Sequence, residues 1–430
     1  MLKKKKKIIF AKILQMKKNI LYIPICYVVL LVLFTALIIG IHLIPTCWFK
    51  ENVLVSARQI ESEGIFRKIG NIYFLQIDNM TDCMMMNMAL TADDSHPIES
   101  AMNNYYSFKT TDDGYKMMAL NTIQLAEKGS ESLPEHFHYG RYWQGSQVIL
   151  RPLLLITNYN GIRMLNYVLM TLLLLWLLWL MVSSFGWGVS TLFIVSLLMV
   201  SAPVVPLSIQ LSTCFYLMLL AALFIMYHSD IRHSPIYFFV IGALTSYFDF
   251  LTTPQLTLGI PLILLILKNQ CNHPIKIIIL LSFVWLMGYS LLWASKWLIA
   301  YILTGVNIME SVSESVTLRL SNVVTFHGVE INILNLTTII LEKIRWWMGI
   351  FLGIIVLVLF AVYYKYQKGI AAFYKYNWLI VITLIVPVWF VCLRNHSIQH
   401  IFFTWRAFLL PLFSMFLFIY LTLKPQKVYE

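Results

Sequence analysis

Residues 163–182 read RMLNYVLMTLLLLWLLWLMV. The stretch holds one cation, Arg163, at its first position and no acid. As a helix it would rise about 30 Å, the thickness of bilayer hydrocarbon. Working outward from it, similar apolar runs appear at about 21–45, 188–204, 209–227, 236–251, 255–267, 277–294, 346–363, 377–393 and 401–421, which makes ten candidate spans. The run at 255–267 is the shortest of them. Composition agrees: apolar residues are 59% of the 430 and charged residues 12%, against about 25% charged in a soluble domain. A soluble enzyme, a disordered chain and a collagen-like fibre are excluded.

Charge sets the expected orientation. The first 20 residues carry eight lysines and no acid, and the chain carries a formal charge of +12. A basic flank before an apolar segment stays in the cytoplasm and meets anionic lipid. Short segments holding Arg232, Lys268, Lys276, Lys365, Lys368, Lys375, Lys424 and Lys427 then fall on the cytoplasmic side, whereas the turns near 205–208 and 252–254 hold no Lys or Arg. Both termini are expected to be cytoplasmic. No basic patch with interleaved aromatics follows, so nucleic acid is not an expected partner. The run at 21–45 is longer than a signal-peptide core and lacks a small-x-small cleavage site, so it reads as a retained first span.

The resulting organisation is a basic tail over 1–20, a first transmembrane helix over 21–45 and a large external loop over 46–162. Transmembrane helices two to seven follow over 163–304. A second external loop occupies 305–345, and the last three helices with a short tail occupy 346–430. The first loop holds 13 of the 20 acidic residues. Within it, residues 142–156 (YWQGSQVILRPLLLI) are too short to span and contain Arg151 and Pro152, which suits an interfacial or re-entrant helix. Cys47 and Cys83 share this loop and form a candidate disulfide. No Cys/His cluster suggests a structural zinc site.

Five clusters carry the chemically interesting side chains. Asp78 and Asp82, in DNMTD, fall at i and i+4 on one helical face. Paired carboxylates of this kind serve as general base or metal ligands. The structural alternative is a helix N-cap at Asp78 or Thr81. The group Asp93, Asp94, His96 and Glu99 reads as a turn or cap. Asp249, in SYFDFLTTP, lies near the outer end of a span, and carboxylates there are costly and usually functional. His396, His400 and Arg406 lie in and just beyond a short external hairpin. They suit a phosphate. The i, i+4 histidines are also spaced for a metal, although no further ligand lies nearby in sequence. The fifth cluster, HFHYGRYWQG, offers His138, Arg141 and Trp143 as aromatic and basic partners for a sugar; the alternative is an interfacial aromatic belt.

All five clusters fall on the expected external side. No P-loop and no Rossmann fingerprint is present. An external membrane enzyme therefore needs a donor already outside, and a lipid-linked one fits. At this point the layout resembles the GT-C class of membrane glycosyltransferases. The resemblance rests on DNMTDCMMMNMA (78–89), RYWQGSQVILRP (141–152), YFDFLTTP (247–254) and HSIQHIFFTWR (396–406). It implies an all-α polytopic membrane protein of about ten transmembrane helices, whose long first extracytoplasmic loop contains interfacial helices. It also implies a polyprenyl-phosphate sugar donor and a glycan, lipid or protein acceptor. By resemblance, Asp78 or Asp82 is the base or the ligand of a divalent cation, and His396, His400 and Arg406 hold the donor phosphate. Asp249 faces the same cavity. Many members place the acidic residue just after the first span, whereas Asp78 lies some 30 residues beyond it, so Asp78, Asp82, Asp93 and Asp94 all stay open. A polymerase or ligase of lipid-linked repeats, and a transporter or flippase, are the competing readings.

Overall fold

A computed structural model describes residues 21–109, 117–129, 132, 133, 135–307, 309–321, 323, 324, 329, 330 and 369–423. Five helices are long and apolar enough to cross a membrane: α1 (Ile23–Ile41), α7 (Tyr159–Phe185), α9 (Ile209–Tyr227), α12 (Pro274–Thr304) and the stretch Ile401–Thr422. Shorter apolar helices occupy four further predicted spans. These are α8 (Trp187–Met199), α10 (Ser234–Phe248), α11 (Gln255–Asn269) and the pair α15 (Trp378–Thr383) and α16 (Ile385–Cys392). Pro387 explains the break in that pair. It lacks the N–H that would bond Thr383, and its ring crowds that carbonyl. The predicted span at 346–363 lies outside the described residues.

The first and second spans leave large apolar side chains exposed, among them Val28, Val32, Leu172, Leu175 and Trp179. Surface of this extent needs an apolar partner, and a bilayer supplies it. Closer to the middle, α10 and α12 pack together most extensively. Two glycines permit it: a β-carbon at Gly242 would collide with the Trp285 carbonyl, and one at Gly288 with the Phe239 carbonyl. Small residues at matched positions let helix backbones approach this closely in membranes.

The long first loop is folded. It contains α2 (Lys50–Glu63), α3 (Asn79–Thr91), α4 (Pro97–Asn103), α5 (Met118–Lys128) and α6 (Gln147–Ile156). Helix α3 is its core: residues 81–89 are buried without exception. The residues of α6 match the expected non-spanning helix, and its Arg151 is buried and donates to the Ala89 carbonyl at 3.0 Å. A two-stranded antiparallel ribbon joins Tyr106–Ser107 to His136–Phe137. The Cys47–Cys83 disulfide does not form. Cys83 is buried against the Thr122 hydroxyl, and Cys47 is exposed with a free thiol.

The loop sits on one end of the bundle, the end where α7, α9 and α11 begin and α10 and α12 finish. Buried polar links fix it there. Tyr159 N–H donates to Ser56 Oγ at 2.8 Å, and Gly145 N–H donates to the Tyr247 carbonyl at 2.9 Å. Lys296, fully buried in α12, donates to the Met102 carbonyl at 2.6 Å, at the C-terminal end of α4. A cation there meets the negative end of the helix dipole. Beyond α12 come α13 (Met309–Leu320) and a ribbon pairing Val323–Val324 with Val329–Glu330. The rest of the chain adds α14 (Gly369–Tyr376), α17 (Arg394–Gln399), α18 (Ile401–Thr404) and α19 (Leu409–Leu423).

Candidate functional site

Asp78 begins α3. Its carboxylate accepts from Thr81 N–H at 3.0 Å and the Thr81 hydroxyl at 2.7 Å, as an N-cap does. Burial pushes its pKa up to about 7, against the pull of the Thr81 bonds and with further push from Asp82; the charge of Arg406 opposes the rise. Asp82 sits one turn on and reaches out of its own helix. It accepts from Ile209 N–H and Gln210 N–H, both at 2.8 Å, from Tyr159 Oη at 2.5 Å and from Ser208 Oγ at 3.2 Å. The two N–H groups belong to the open first turn of α9, so Asp82 caps a helix more than a hundred residues away. Beside it, Arg163 makes two bonds to Glu63 at 2.8 and 2.9 Å, and a third to Asn79 at 2.7 Å. Burial works against the Glu63 charge, but bonds from Gln59 and Arg163 outweigh it and hold the carboxyl below its ordinary value. In this arrangement Asp78 and Asp82 hold helix ends together, and neither has an exposed surface.

Asp249 closes α10. It accepts from Thr252 N–H at 3.1 Å and from the Thr252 hydroxyl, and the Cys214 thiol also reaches it. With Leu251 in the left-handed region at φ +65°, this makes a side-chain-closed turn that stops the helix. Cys214 lies one turn beyond Gln210 on α9, so Asp82 and Asp249 flank the same helix a turn apart.

The late hairpin completes a ring around this point. His396 Nε2 bonds the Leu251 carbonyl at 2.9 Å, and the His396 and His400 rings lie 4.7 Å apart. Arg406, 1% exposed, donates to the Gln76 carbonyl at 2.8 Å and the Phe402 carbonyl at 3.0 Å. It returns the ring to Asp78. The structure thus brings together Asp78, Asp82, Asp249, His396, His400 and Arg406. Both histidines are neutral near neutral pH. Burial lowers His396 well below its ordinary value and His400 to about 4, and the Arg319 charge adds to both shifts.

The aromatic segment divides. Trp143 is fully buried, with its indole N–H on the Leu292 carbonyl at 2.7 Å and its ring against Phe34 and Tyr247. It anchors loop to bundle and offers no face to a sugar here. His138 lies apart, exposed against Tyr105. Arg141 stacks over Tyr139 at 4.1 Å. Its neighbour Tyr142 reaches the ring of helix ends, with Phe250 at 6.0 Å and a bond from Arg319 at 2.6 Å. The other loop aspartates make local or loop-bridging contacts. Asp93 accepts from Ser95 and His96, and those bonds lower it to about 2; Asp94 receives Thr46 N–H.

A groove of about 680 Å³ runs beside the ring between α12, α13, α15 and α16. Its walls are apolar, and Ile279, Leu286 and Val388 are exposed along it. From Ile278 to Trp293 it follows α12 for about 22 Å. Leu251, Tyr289 and Arg319 mark its head. Arg319 forms no ion pair among the described residues, and its Nε is buried without an acceptor. Tyr142 lay inside the aromatic cluster HFHYGRYWQG without being singled out; sequence reading missed Arg319, Tyr289 and the Glu63–Arg163 pair. A lone arginine ending the amphiphilic run SESVTLRL was the available signal for Arg319; the others had none.

The carboxylates do not fit a divalent cation as they stand. The oxygens of Asp78 and Asp82 already face N–H and O–H donors. Among the described residues no group of three His, Cys, Asp or Glu side chains is placed to hold a metal. No protein-family model, curated protein or solved structure matches the chain.

Proposed function

We propose that the chain is a multi-pass membrane glycosyltransferase of GT-C-like design. It takes a sugar from a polyprenyl-phosphate-linked donor and passes it to a glycan, lipid or protein hydroxyl on the extracytoplasmic face. One observation carries this reading: a long apolar groove, open along its wall, has at its head Arg319, which forms no ion pair among the described residues, and Leu251, whose carbonyl bonds His396. An isoprenoid chain suits the walls, and a phosphate suits the head. The lysine-rich start favours that end lying outside.

The reaction is a displacement at the anomeric carbon. Asp249, the carboxylate nearest the groove head, takes the proton of the acceptor hydroxyl. The acceptor oxygen bonds to the anomeric carbon as the bond to the phosphate oxygen breaks. The leaving phosphate carries the electron pair away and is stabilised by Arg319, with neutral His396 and His400 beside it. Arg406, the sequence candidate for this contact, is buried and donates to two backbone carbonyls, so it positions the ring. The test uses purified protein in nanodiscs with lipid-linked sugars extracted from its host membranes. Asp249→Asn and Arg319→Gln are expected to stop release of the lipid phosphate while keeping the wild-type melting temperature. Undiminished release by both variants rules the mechanism out.

A further inference from the structure

We infer that the end of the groove opposite Arg319 holds the headgroup of an anionic membrane phospholipid. The inference does not depend on the transferase reading, because it concerns the other end of the bundle. There, a pocket of about 750 Å³ is lined by the residues joining α11 to α12 and by the junction of α14 with α15. It shares two walls with the groove. Ile275 and Lys276 line the pocket, and Ile278 and Ile279 line the groove within one turn along α12. Trp378 lines the pocket, and Val381 lines the groove one turn along α15. The pocket therefore sits at the foot of the groove.

Its lining is basic. His273, Lys276 and Lys375 face it, and no acid does. Both lysines are exposed, and neither forms an ion pair among the described residues. Among the described residues of this end Asp230 is the one acid, and Arg232 holds it at 2.9 Å. The lysine charges are thus left for a ligand. The apolar neighbours make that ligand a lipid. Ile275 is exposed beside Lys276, and the groove carries the apolar surface on toward the middle of the bundle. Tyr374, Tyr376 and Trp378 line the same pocket, and such residues sit at headgroup level. A free phosphate would use the lysines and leave this surface bare. A zwitterionic lipid brings an ammonium that no carboxylate in the lining can meet. An anionic lipid brings only negative charge, which lysines meet at the interface on long apolar stems. One acyl chain then follows Ile275 and Ile279 along α12, so the lipid closes the foot of the groove.

The test is a lipid titration of the full chain in detergent micelles, read by native mass spectrometry. The probes are phosphatidylglycerol, phosphatidylethanolamine with the same acyl chains, and polyprenyl monophosphate. Wild type is expected to bind phosphatidylglycerol about tenfold tighter than phosphatidylethanolamine. Lys276→Gln combined with Lys375→Gln is expected to remove that gap at an unchanged melting temperature, and the corresponding pair of Lys→Arg changes to keep it. Arg232→Gln lies at the same end but outside the lining, and it is expected to keep the gap. Equal binding of the two phospholipids by wild type overturns the inference. So does a gap that survives the double Gln variant, or one that falls as far in Arg232→Gln, since the preference then comes from diffuse surface charge. Polyprenyl monophosphate that displaces phosphatidylglycerol, and whose binding is lost in the double variant, also overturns it by assigning the pocket to that lipid. Arg319→Gln is expected to leave the phospholipid preference unchanged, which separates this site from the groove head.

Discussion

Asp82 concentrates several demands on one side chain. Four donors converge on a carboxylate with no exposed surface, and two of them are the opening N–H groups of another helix. Asp82→Ala leaves those donors buried and unanswered, at a cost of about 3 kcal/mol or more. We expect little folded protein from that variant in detergent extracts, and a normal yield with an unchanged melting temperature would contradict the capping role. Asp78 behaves differently. Its folded pKa of about 7 lies above the ordinary 3.8, so the folded state holds the proton more tightly. Its contribution therefore favours folding at low pH and is lost as pH rises from about 4 through 7. Asp78→Asn keeps a cap for Thr81 without the charge. Its melting temperature should fall less steeply than wild type over that window. An equal or steeper fall would mean that Asp78 is ionised and paired with Arg406.

At the level of elements, the close pair α10 and α12 sets the site. Helix α10 ends in the Asp249 turn, and α12 carries Tyr289 and Trp293 to the groove head. Gly288 faces the Phe239 carbonyl with no room for a side chain. Gly288→Val must push the helices apart and overpack the contact, a cost of about 1–3 kcal/mol. We expect a lower melting temperature and loss of donor binding together. Binding retained at wild-type affinity would separate the packing from the site. A milder change tests the groove alone. Ser290 lies exposed in its wall, one residue past Tyr289. Ser290→Trp fills the passage without touching the core. Lipid-phosphate binding should drop about tenfold or more at unchanged thermal stability; undisturbed binding would place the isoprenoid elsewhere.

For the whole molecule, hydropathy settled the class. A run such as 163–182 has no soluble alternative, because its backbone and side chains satisfy themselves only as a helix in an apolar surrounding. The candidate acids and bases were legible too, since charges are scarce in such a chain and each stands out. Their partners were not. Asp82 looked like half of a carboxylate pair with Asp78, yet its bonds go to Tyr159, Ser208, Ile209 and Gln210. Trp143 looked like a sugar platform and is a buried anchor. Arg319 passed unremarked and stands at the groove head. The sequence by itself determined which segments must be helical and apolar and where the scarce charges lie, because those follow from local composition and the bilayer's dimensions. Only the tertiary structure decided which charges are spent on neighbouring helix ends and which are left facing the groove, because that depends on contacts between residues more than a hundred positions apart.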